Sequence, residues 1–443
     1  MSSFLVAGAR VAGAASALAL HRLGHEVTVV DRASADPRLA EAGIRVVIGE
    51  PDPRELLSGV DEVVVSPGVP PDHPLVQAAL QRDIEVYSEP ELAWRLRGPD
   101  APIWLGVTGT NGKTTTTTML AAILKAAGMR TAALGNIGEP LVDAQAGYDV
   151  IAVELSSQQL HWSSTLAPHA GVILNLADDH LDWHGGFDDY AMSKTAIWRG
   201  GIAVGNLDDP LVESLLGKAE GRRIGFTLDV PPPGCVGVVE ELLVDRIEPG
   251  DARELGTIAD IKPVGAHNVA NALAAAALAR TVGVSHDAIR AGLQGYVPEP
   301  HRNALVTAVR GVSYVDDSKA TNPHAAQASL TSYERIVWIA GGQLKGVDID
   351  PLVQRVAPRL AGAVLLGVDR HEIKEALARH APSLPVVDVA ATDDGAMGEV
   401  VRAAAAMARP GDTVLLAPAA ASRDMYESYA HRGKAFAQAV HRL

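Results

Sequence analysis

The segment that most restricts what this chain can fold into is WLGVTGTNGKTTTTTML, residues 104–120. An apolar run enters glycines at 109 and 112, Lys113 and Thr114 follow, and a helical pattern continues. Glycines let backbone N–H groups turn toward phosphate oxygens, and a helix N-terminus adds a favourable partial charge. The loop therefore needs a strand ending at it and a helix leaving it, the opening of a βαβ unit. Lys113 is placed to neutralise β- and γ-phosphates and the Thr114 hydroxyl to ligate Mg²⁺. Gly109, Thr110, Asn111, Gly112 and Thr115 complete the cradle. The spacing departs from G-x-x-x-x-G-K-[ST], because Val107 stands where the first glycine belongs. Alone, such a segment also fits a glycine turn capping a helix; the strand–loop–helix context favours nucleotide binding.

The same alternation runs along the chain. FLVAG (4–8), EVTVVD (26–31), IRVVIG (44–49), EVVVSPG (62–68) and IEVYS (84–88) read as strands, and 11–23 and 74–82 as helices. LRGPDAP (96–102) is a Gly/Pro break. Strands near 103–108, 149–154 and 170–175 follow, then an Ala-rich helix near 267–282 and a second break, YVPEPHR (296–302). GVSYVDD, RIVWIAGG, AGAVLLG, LPVVDV and DTVLLAP then alternate with helical stretches. The expected fold class is α/β, with three successive domains: a Rossmann-like unit over 1–97, a central P-loop unit over 98–298 and a Rossmann-like unit over 299–443. In the first unit, Gly8-Ala-Arg-Val-Ala-Gly13 carries Arg10 where a dinucleotide fingerprint has its middle glycine, which disfavours NAD but leaves a diphosphate possible. Asp31 ends the second strand, the usual place for a carboxylate to meet a ribose or base.

With 47% apolar and 21% charged residues over 443 positions, the chain has ample material for packed cores. A net charge of −15 argues against a generic nucleic-acid binder, though a local basic pocket can still hold a nucleotide. The single cysteine, Cys235, excludes an internal disulfide and a Cys-rich metal site. The apolar stretch 3–20 has no basic residue before it, is interrupted by Arg10 and leads into a strand, so it reads as fold rather than leader. No other uncharged run reaches the roughly 18 residues of a membrane span. A cytoplasmic protein without membrane insertion is expected, and a monomer.

Further positions are ambiguous taken singly. Glu154 ends the strand-like DVIAVE, where a carboxylate serves equally as a helix cap or, beside Thr114, as a hard oxygen ligand for Mg²⁺. His180 lies among Asp178, Asp179 and Asp182, a composition that also suits a solvated acidic loop. Lys194 reads as a surface helix lysine, and Lys345 as a loop lysine. Asp317, Ser318, Lys319 and Thr321 after a strand fit a capped turn as well as a binding cluster.

Taken together, however, TGTNGK-T, GNIG (135–138), ELSSQQL (154–160), NLADDHLDWHG (175–185), YAMSKTAIW (190–198), GAHNVANALAA (265–275), DDSKATNP (316–323), GGQLKG (341–346) and APAAASRDMYESYAHRG (417–433) occur in one order. In this the chain resembles the ATP-dependent Mur ligases over all three segments. The DSKATN and PAAAS…RG segments are most similar to those of the member that adds D-glutamate. The GTHGK loop of the L-alanine ligase and the DNPR-type segment of ligases adding diamino acids are absent.

The resemblance implies the following. ATP and two Mg²⁺ ions act in the central unit, with Thr114, Glu154, His180 and Lys194 at the metals and Lys194 carbamylated by CO₂. Histidine is an unusual ligand for an ion that prefers oxygen. UDP-N-acetylmuramoyl-L-alanine meets Asp31, Arg32 and Gly68 with its nucleotide, and Asn136, Ser156, Gln159 and His180 with its muramoyl-alanine end. Position 158 is Gln where the family usually has Phe. Asn268 reads adenine, Arg302 reaches the γ-phosphate, where a planar fork suits an oxyanion, and Asp317 and Lys319 meet ribose and phosphate. Thr321, Lys345, Ser422 and Tyr429 stand at D-glutamate positions, Tyr429 where a Phe can lie. Lys113, His180, Lys194 and Arg302 are the implied catalytic set. Two other readings stay open: a folylpolyglutamate synthetase-like ligase, disfavoured by the unit preceding the P-loop, and a P-loop nucleotide switch without ligase chemistry.

Overall fold

In the structure, a computed structural model that describes residues 2–144, 146–391 and 393–443, the alternation builds three sheets. The first holds β1 (Ser3–Ala7), β2 (Glu26–Asp31), β3 (Arg45–Ile48), β4 (Glu62–Val65) and β5 (Glu85–Ser88), in the order β3-β2-β1-β4-β5 and parallel throughout. The order reverses between β1 and β4, so the Gly8–Arg10 turn and the segment after Val65 leave the sheet side by side, where open α/β sheets bind ligands.

The second sheet holds β6 (Ile103–Thr108), β7 (Ala133–Gly135), β8 (Val150–Glu154), β9 (Ala170–Ile173), β10 (Ile202–Asn206), β11 (Arg222–Phe226), β12 (Cys235–Val239), β13 (Leu242–Asp245) and β14 (Arg253–Thr257). Their order is β14-β13-β12-β11-β10-β9-β6-β8-β7, with β6 paired in parallel to both β8 and β9. Three loops therefore emerge as neighbours: the glycine loop after β6, the segment after Glu154, and the segment running to His180. The antiparallel ribbon of β12, β13 and β14 at the edge was not expected from the sequence.

The third sheet holds β15 (Ala304–Val309), β16 (Val312–Asp316), β17 (Ile336–Gly341), β18 (Leu360–Leu366), β19 (Val386–Asp388) and β20 (Thr413–Leu416), ordered β15-β16-β20-β17-β18-β19. Only β15 runs antiparallel to its neighbour; the remaining pairs are parallel. By packing, residues 1–260 and 270–296 form one compact unit, with the first two sheets, and 261–269 and 297–443 form another.

The helix Glu89–Arg95, which joins the first two sheets, carries two buried carboxylates. Glu91 accepts from the backbone N–H groups of Ser164, Thr165 and Leu166, from the Thr165 hydroxyl and from Arg95 Nε. Burial alone would raise its pKa, but these donors outweigh it and hold the carboxyl below its usual range. Glu89 accepts from the Val142 N–H at 2.8 Å. With no cation to offset desolvation, its carboxyl is pushed up to about 7.

Candidate active site

The glycine loop is shaped by positions no side chain could occupy. Gly109 has φ +151°, and a Cβ there would meet Leu174 Cβ at 2.9 Å; Gly112 has φ +84°, and a Cβ would meet Asn271 Oδ1 at 2.4 Å. Asn175 locks the loop: its Oδ1 accepts from the Asn111 N–H at 2.8 Å and its Nδ2 donates to the Asn111 carbonyl at 3.1 Å. The Thr110 hydroxyl lies 2.7 Å from the Tyr190 hydroxyl and accepts from the Ala177 N–H at 3.0 Å. Lys113 opens the helix Lys113–Ala126, and its Nζ donates to the carbonyls of Gly109 at 2.9 Å and Thr110 at 2.8 Å. The threonines after it bond back along the helix, Thr117 to the Lys113 carbonyl and Thr118 to that of Thr114. Thr115 is buried, and the Thr116 hydroxyl is buried with no hydrogen-bond partner among the described residues.

Beside the loop, the buried Glu154 carboxylate accepts from the Thr114 hydroxyl at 2.7 Å and from Asn136 Nδ2 at 2.9 Å. Two hard oxygen donors thus converge, a donor set that suits Mg²⁺. Lys194, on the helix Phe187–Thr195, is 1% exposed. Its Nζ donates to the Gly109 carbonyl at 3.1 Å and lies 4.5 Å from the centroid of the Tyr190 ring. Burial, and then the nearby Lys113 charge, push its ammonium far below the usual lysine range. The surface-lysine reading of Lys194 is thereby overturned: the helix presents it inward. His180, at φ +53°, is more than half exposed, with Nε2 3.6 Å from Asp179 Oδ2. A cleft of about 310 Å³ brings Lys113, Asn136, Ser156, His180 and Lys194 together with Gly68.

Other expected residues take less direct positions. Ser156 and Gln159 form a reciprocal capping box on the helix Ser157–His161, and Gln158, not Gln159, lines the cleft. Asp31 Oδ2 accepts from the Ala9 N–H at 2.8 Å and Oδ1 from that of Ala33 at 3.0 Å, clamping the turn after β1. Burial would raise this carboxyl, but these amides and that of Ser34 hold it low. Arg32 pairs with Glu50 in the open, both highly exposed.

In the second unit, the loops after β16, β17 and β20 converge. Asp317 is buried, accepting from the Asn303 N–H at 3.0 Å and from the Ser329 hydroxyl, and desolvation pushes its carboxyl up to about 7. Lys319 Nζ lies 4.1 Å from the centroid of the Tyr429 ring, and Tyr429 opens the helix Tyr429–Val440. Arg432, fully buried, ties these loops together by donating to Ser318 Oγ at 3.0 Å, the Ala420 carbonyl at 3.1 Å and the Gly341 carbonyl at 3.3 Å. No carboxylate shares these bonds, and burial pushes the guanidinium down to about 10. Ser422 is buried and Lys345 exposed at φ +55°, after β20 and β17 respectively; Thr321 and Arg302 are half-buried, and Asn268 is buried near the start of the helix Ala266–Thr281.

Three family models match the chain in sequence order. They are the Mur ligase MurD-like N-terminal domain over residues 2–88, the Mur ligase middle domain over 107–279 and the Mur ligase glutamate ligase domain over 301–420. The chain belongs to the Mur ligase family. The UDP-N-acetylmuramoylalanine–D-glutamate ligase of Thermobifida fusca (strain YX) is 53% identical to this Mur ligase, covering 99% of this chain and 98% of its own length. That of Streptomyces coelicolor is 54% identical, covering 99% and 97%. Among solved structures, a pseudomurein peptide ligase type C from Methanothermus fervidus covers 100% of both chains at 20% identity and a TM-score of 0.62. The MurF ligase of Thermotoga maritima in complex with ADP covers 94% of this chain and 95% of its own, at 17% identity and a TM-score of 0.59. The fold is that of Mur ligases.

Sequence reasoning about this Mur ligase passed over Asn175, Tyr190 and Gln158 as functional positions. The first two stand in NLADDHLDWHG and YAMSKTAIW, so the segments were visible. Their contacts, across 64 residues to Asn111 and 80 to Thr110, are set by sheet order rather than by local pattern.

Proposed function

We propose that this Mur ligase joins D-glutamate to UDP-N-acetylmuramoyl-L-alanine, using ATP, in a cytoplasmic step of peptidoglycan precursor synthesis. The observation that carries the reading is the meeting, in one cleft, of Lys113 and the buried Lys194, both bonded to the Gly109 carbonyl of the glycine loop, with Asn136, which bonds the Glu154 of the Thr114–Glu154 pair. The relatives' names supply the acceptor amino acid. On this reading the chain is divided at 97/98 and 298/299 into domains for the UDP-sugar, for ATP and for the amino acid.

A carboxylate is a poor acyl donor, so amide formation in water needs activation. An oxygen of the alanyl carboxylate attacks the γ-phosphorus of ATP; the new O–P bond forms as the bond to ADP breaks, giving an acyl phosphate. The D-glutamate nitrogen then attacks the carbonyl carbon, and the tetrahedral intermediate expels phosphate. The amine proton passes to His180 or to a bound water. Lys113 and Arg302 offset the negative charge on the transferring phosphoryl group, acting by position and electrostatics. Thr114 and Glu154 would hold one Mg²⁺, and His180 with Lys194 the second; bound there, the ions neutralise phosphate charge. Lys194 fits a CO₂-derived carbamate because CO₂ adds to the neutral amine, the form its burial favours. Asp31, Arg32 and Gly68 would face the nucleotide of the UDP-sugar, and Asn136, Ser156 and Gln159 its muramoyl-alanine end. Asn268, Asp317 and Lys319 would face ATP, and Thr321, Lys345, Ser422 and Tyr429 the D-glutamate.

The test is phosphate release from ATP with UDP-N-acetylmuramoyl-L-alanine, Mg²⁺ and single amino acids. Release that needs both the UDP-sugar and D-glutamate, with the UDP-dipeptide seen by mass, is the expected result. Dependence on another amino acid would overturn the D-glutamate assignment, and folate-dependent release would move the chain to the folylpolyglutamate branch. ATP binding without turnover would leave a nucleotide switch.

A further inference from the structure

The same cleft holds a hydrogen-bond chain that the ligase chemistry does not use. His184, 7% exposed, ends the helix Leu181–His184 and is met edge-on by Trp183, Tyr190 and His161. Its Nε2 lies 2.9 Å from Ser157 Oγ, and its Nδ1 is buried with no hydrogen-bond partner among the described residues. The Ser157 hydroxyl lies 3.3 Å from Gln158 Oε1. Gln158 is 8% exposed and lines the cleft, and its amide nitrogen has no hydrogen-bond partner among the described residues.

Donor and acceptor accounting fixes the direction of this chain. A neutral ring carries one N–H, on either nitrogen, and a charged ring carries one at Nε2 in any case. A proton on Nδ1 would be a buried, unsatisfied donor, whereas a proton on Nε2 leaves only a bare lone pair, the cheaper defect. Nε2–H therefore donates to Ser157 Oγ, and the Ser157 hydroxyl donates to Gln158 Oε1. The amide cannot flip without breaking the sequence, so its NH₂ faces the cleft.

We infer that Gln158 is a specificity-determining donor that reads an uncharged oxygen acceptor on the sugar portion of the substrate, with Ser157 and His184 as positioning residues that fix its amide. This rests on the ligase reading. There the nucleotide lies toward Gly68 and the reacting carboxylate toward Lys113, which leaves the N-acetylmuramoyl group, rich in hydroxyl and carbonyl oxygens, to face Gln158.

The experiment measures KM for UDP-N-acetylmuramoyl-L-alanine, ATP and D-glutamate in the full chain. Gln158→Leu is expected to raise KM for the UDP-sugar about tenfold, the worth of one hydrogen bond, with the other two KM values little changed. Gln158→Glu, which sets an acceptor against an acceptor, is expected to raise it further. His184→Phe keeps a ring in the aromatic nest and loses the donor, so it raises the same KM. His184→Gln places an N–H near the Nε2 position and recovers most of that loss, while His184→Asn, which reaches only as far as Nδ1, does not. An unchanged KM for the UDP-sugar in Gln158→Leu overturns the inference, as does equal loss in all three His184 variants at wild-type melting temperature. Failure of the wild type to release phosphate with the UDP-sugar and D-glutamate would instead overturn the ligase reading.

Discussion

Lys194 and Glu89 show burial acting on opposite charges with opposite use. Burial pushes the Lys194 ammonium well below the usual lysine range, a shift toward the neutral amine to which CO₂ adds. With ¹³C-bicarbonate the wild type is expected to give a carbamate carbon signal by NMR that Lys194→Arg lacks, and the variant to lose at least a hundredfold in ligation rate. Glu89 is the reverse case, its carboxyl raised from 4.5 to about 7 by desolvation. A carboxyl raised on folding stabilises most below its unfolded value, and that contribution is lost as pH climbs through the folded one. The stability of the wild type should fall between about pH 5 and pH 8 relative to Glu89→Gln, whose carbonyl can still accept from the Val142 N–H. At about 1.4 kcal/mol per pKa unit, the gap should reach a few kcal/mol. Parallel denaturation curves for the two proteins across this window would contradict the assignment.

Glu91 belongs to its helix more than to itself. It fastens Glu89–Arg95 to Ser164–Leu166 by taking three consecutive backbone N–H groups, so Glu91→Ala leaves buried donors without partners. The expected cost is about 3 kcal/mol, read by urea denaturation, and a loss below about 1 kcal/mol would show that water replaces the carboxylate there. The first sheet was legible strand by strand in the sequence, because each run of β-branched residues is bounded by turns and all but the edge strand β3 are largely buried. The ribbon β12–β14 was not legible, since CVGVV, LLVD and RELGT are short, interrupted runs whose pairing is decided by the edge they join. In the site, Lys113 and Thr114 stand out in the local pattern of the glycine loop, whereas Glu154 alone reads equally as a helix cap. Lys194 could not be read, because nothing in KTAIW says that its helix turns this side chain inward onto Gly109. Gln159 was read as a substrate residue, yet its side-chain oxygen closes a cap on Ser156.

At the scale of the molecule, the two compact units have different internal staples: Glu91 in the first, Arg432 in the second. Calorimetry should resolve more than one transition, with Glu91→Ala lowering one and Arg432→Met the other. Both substitutions lowering a single shared transition would mean that the chain unfolds as one cooperative body. A lysine cannot stand in for Arg432, because one ammonium cannot reach Ser318, Gly341 and Ala420 in their three directions. The threonine run of the phosphate loop bears on how the chain comes together in time. Five successive β-branched residues are a poor start for a helix, and the hydroxyls of Thr117 and Thr118 bond back to the carbonyls one turn earlier. Such a helix gains little on its own and is held by the sheet beneath it and by Asn175 and Asn271, which arrive from far along the chain. A nascent chain that has made Lys113 but not yet Asn271 therefore lacks a wall of its nucleotide cradle, and ATP can serve as a probe of completed folding as well as a substrate.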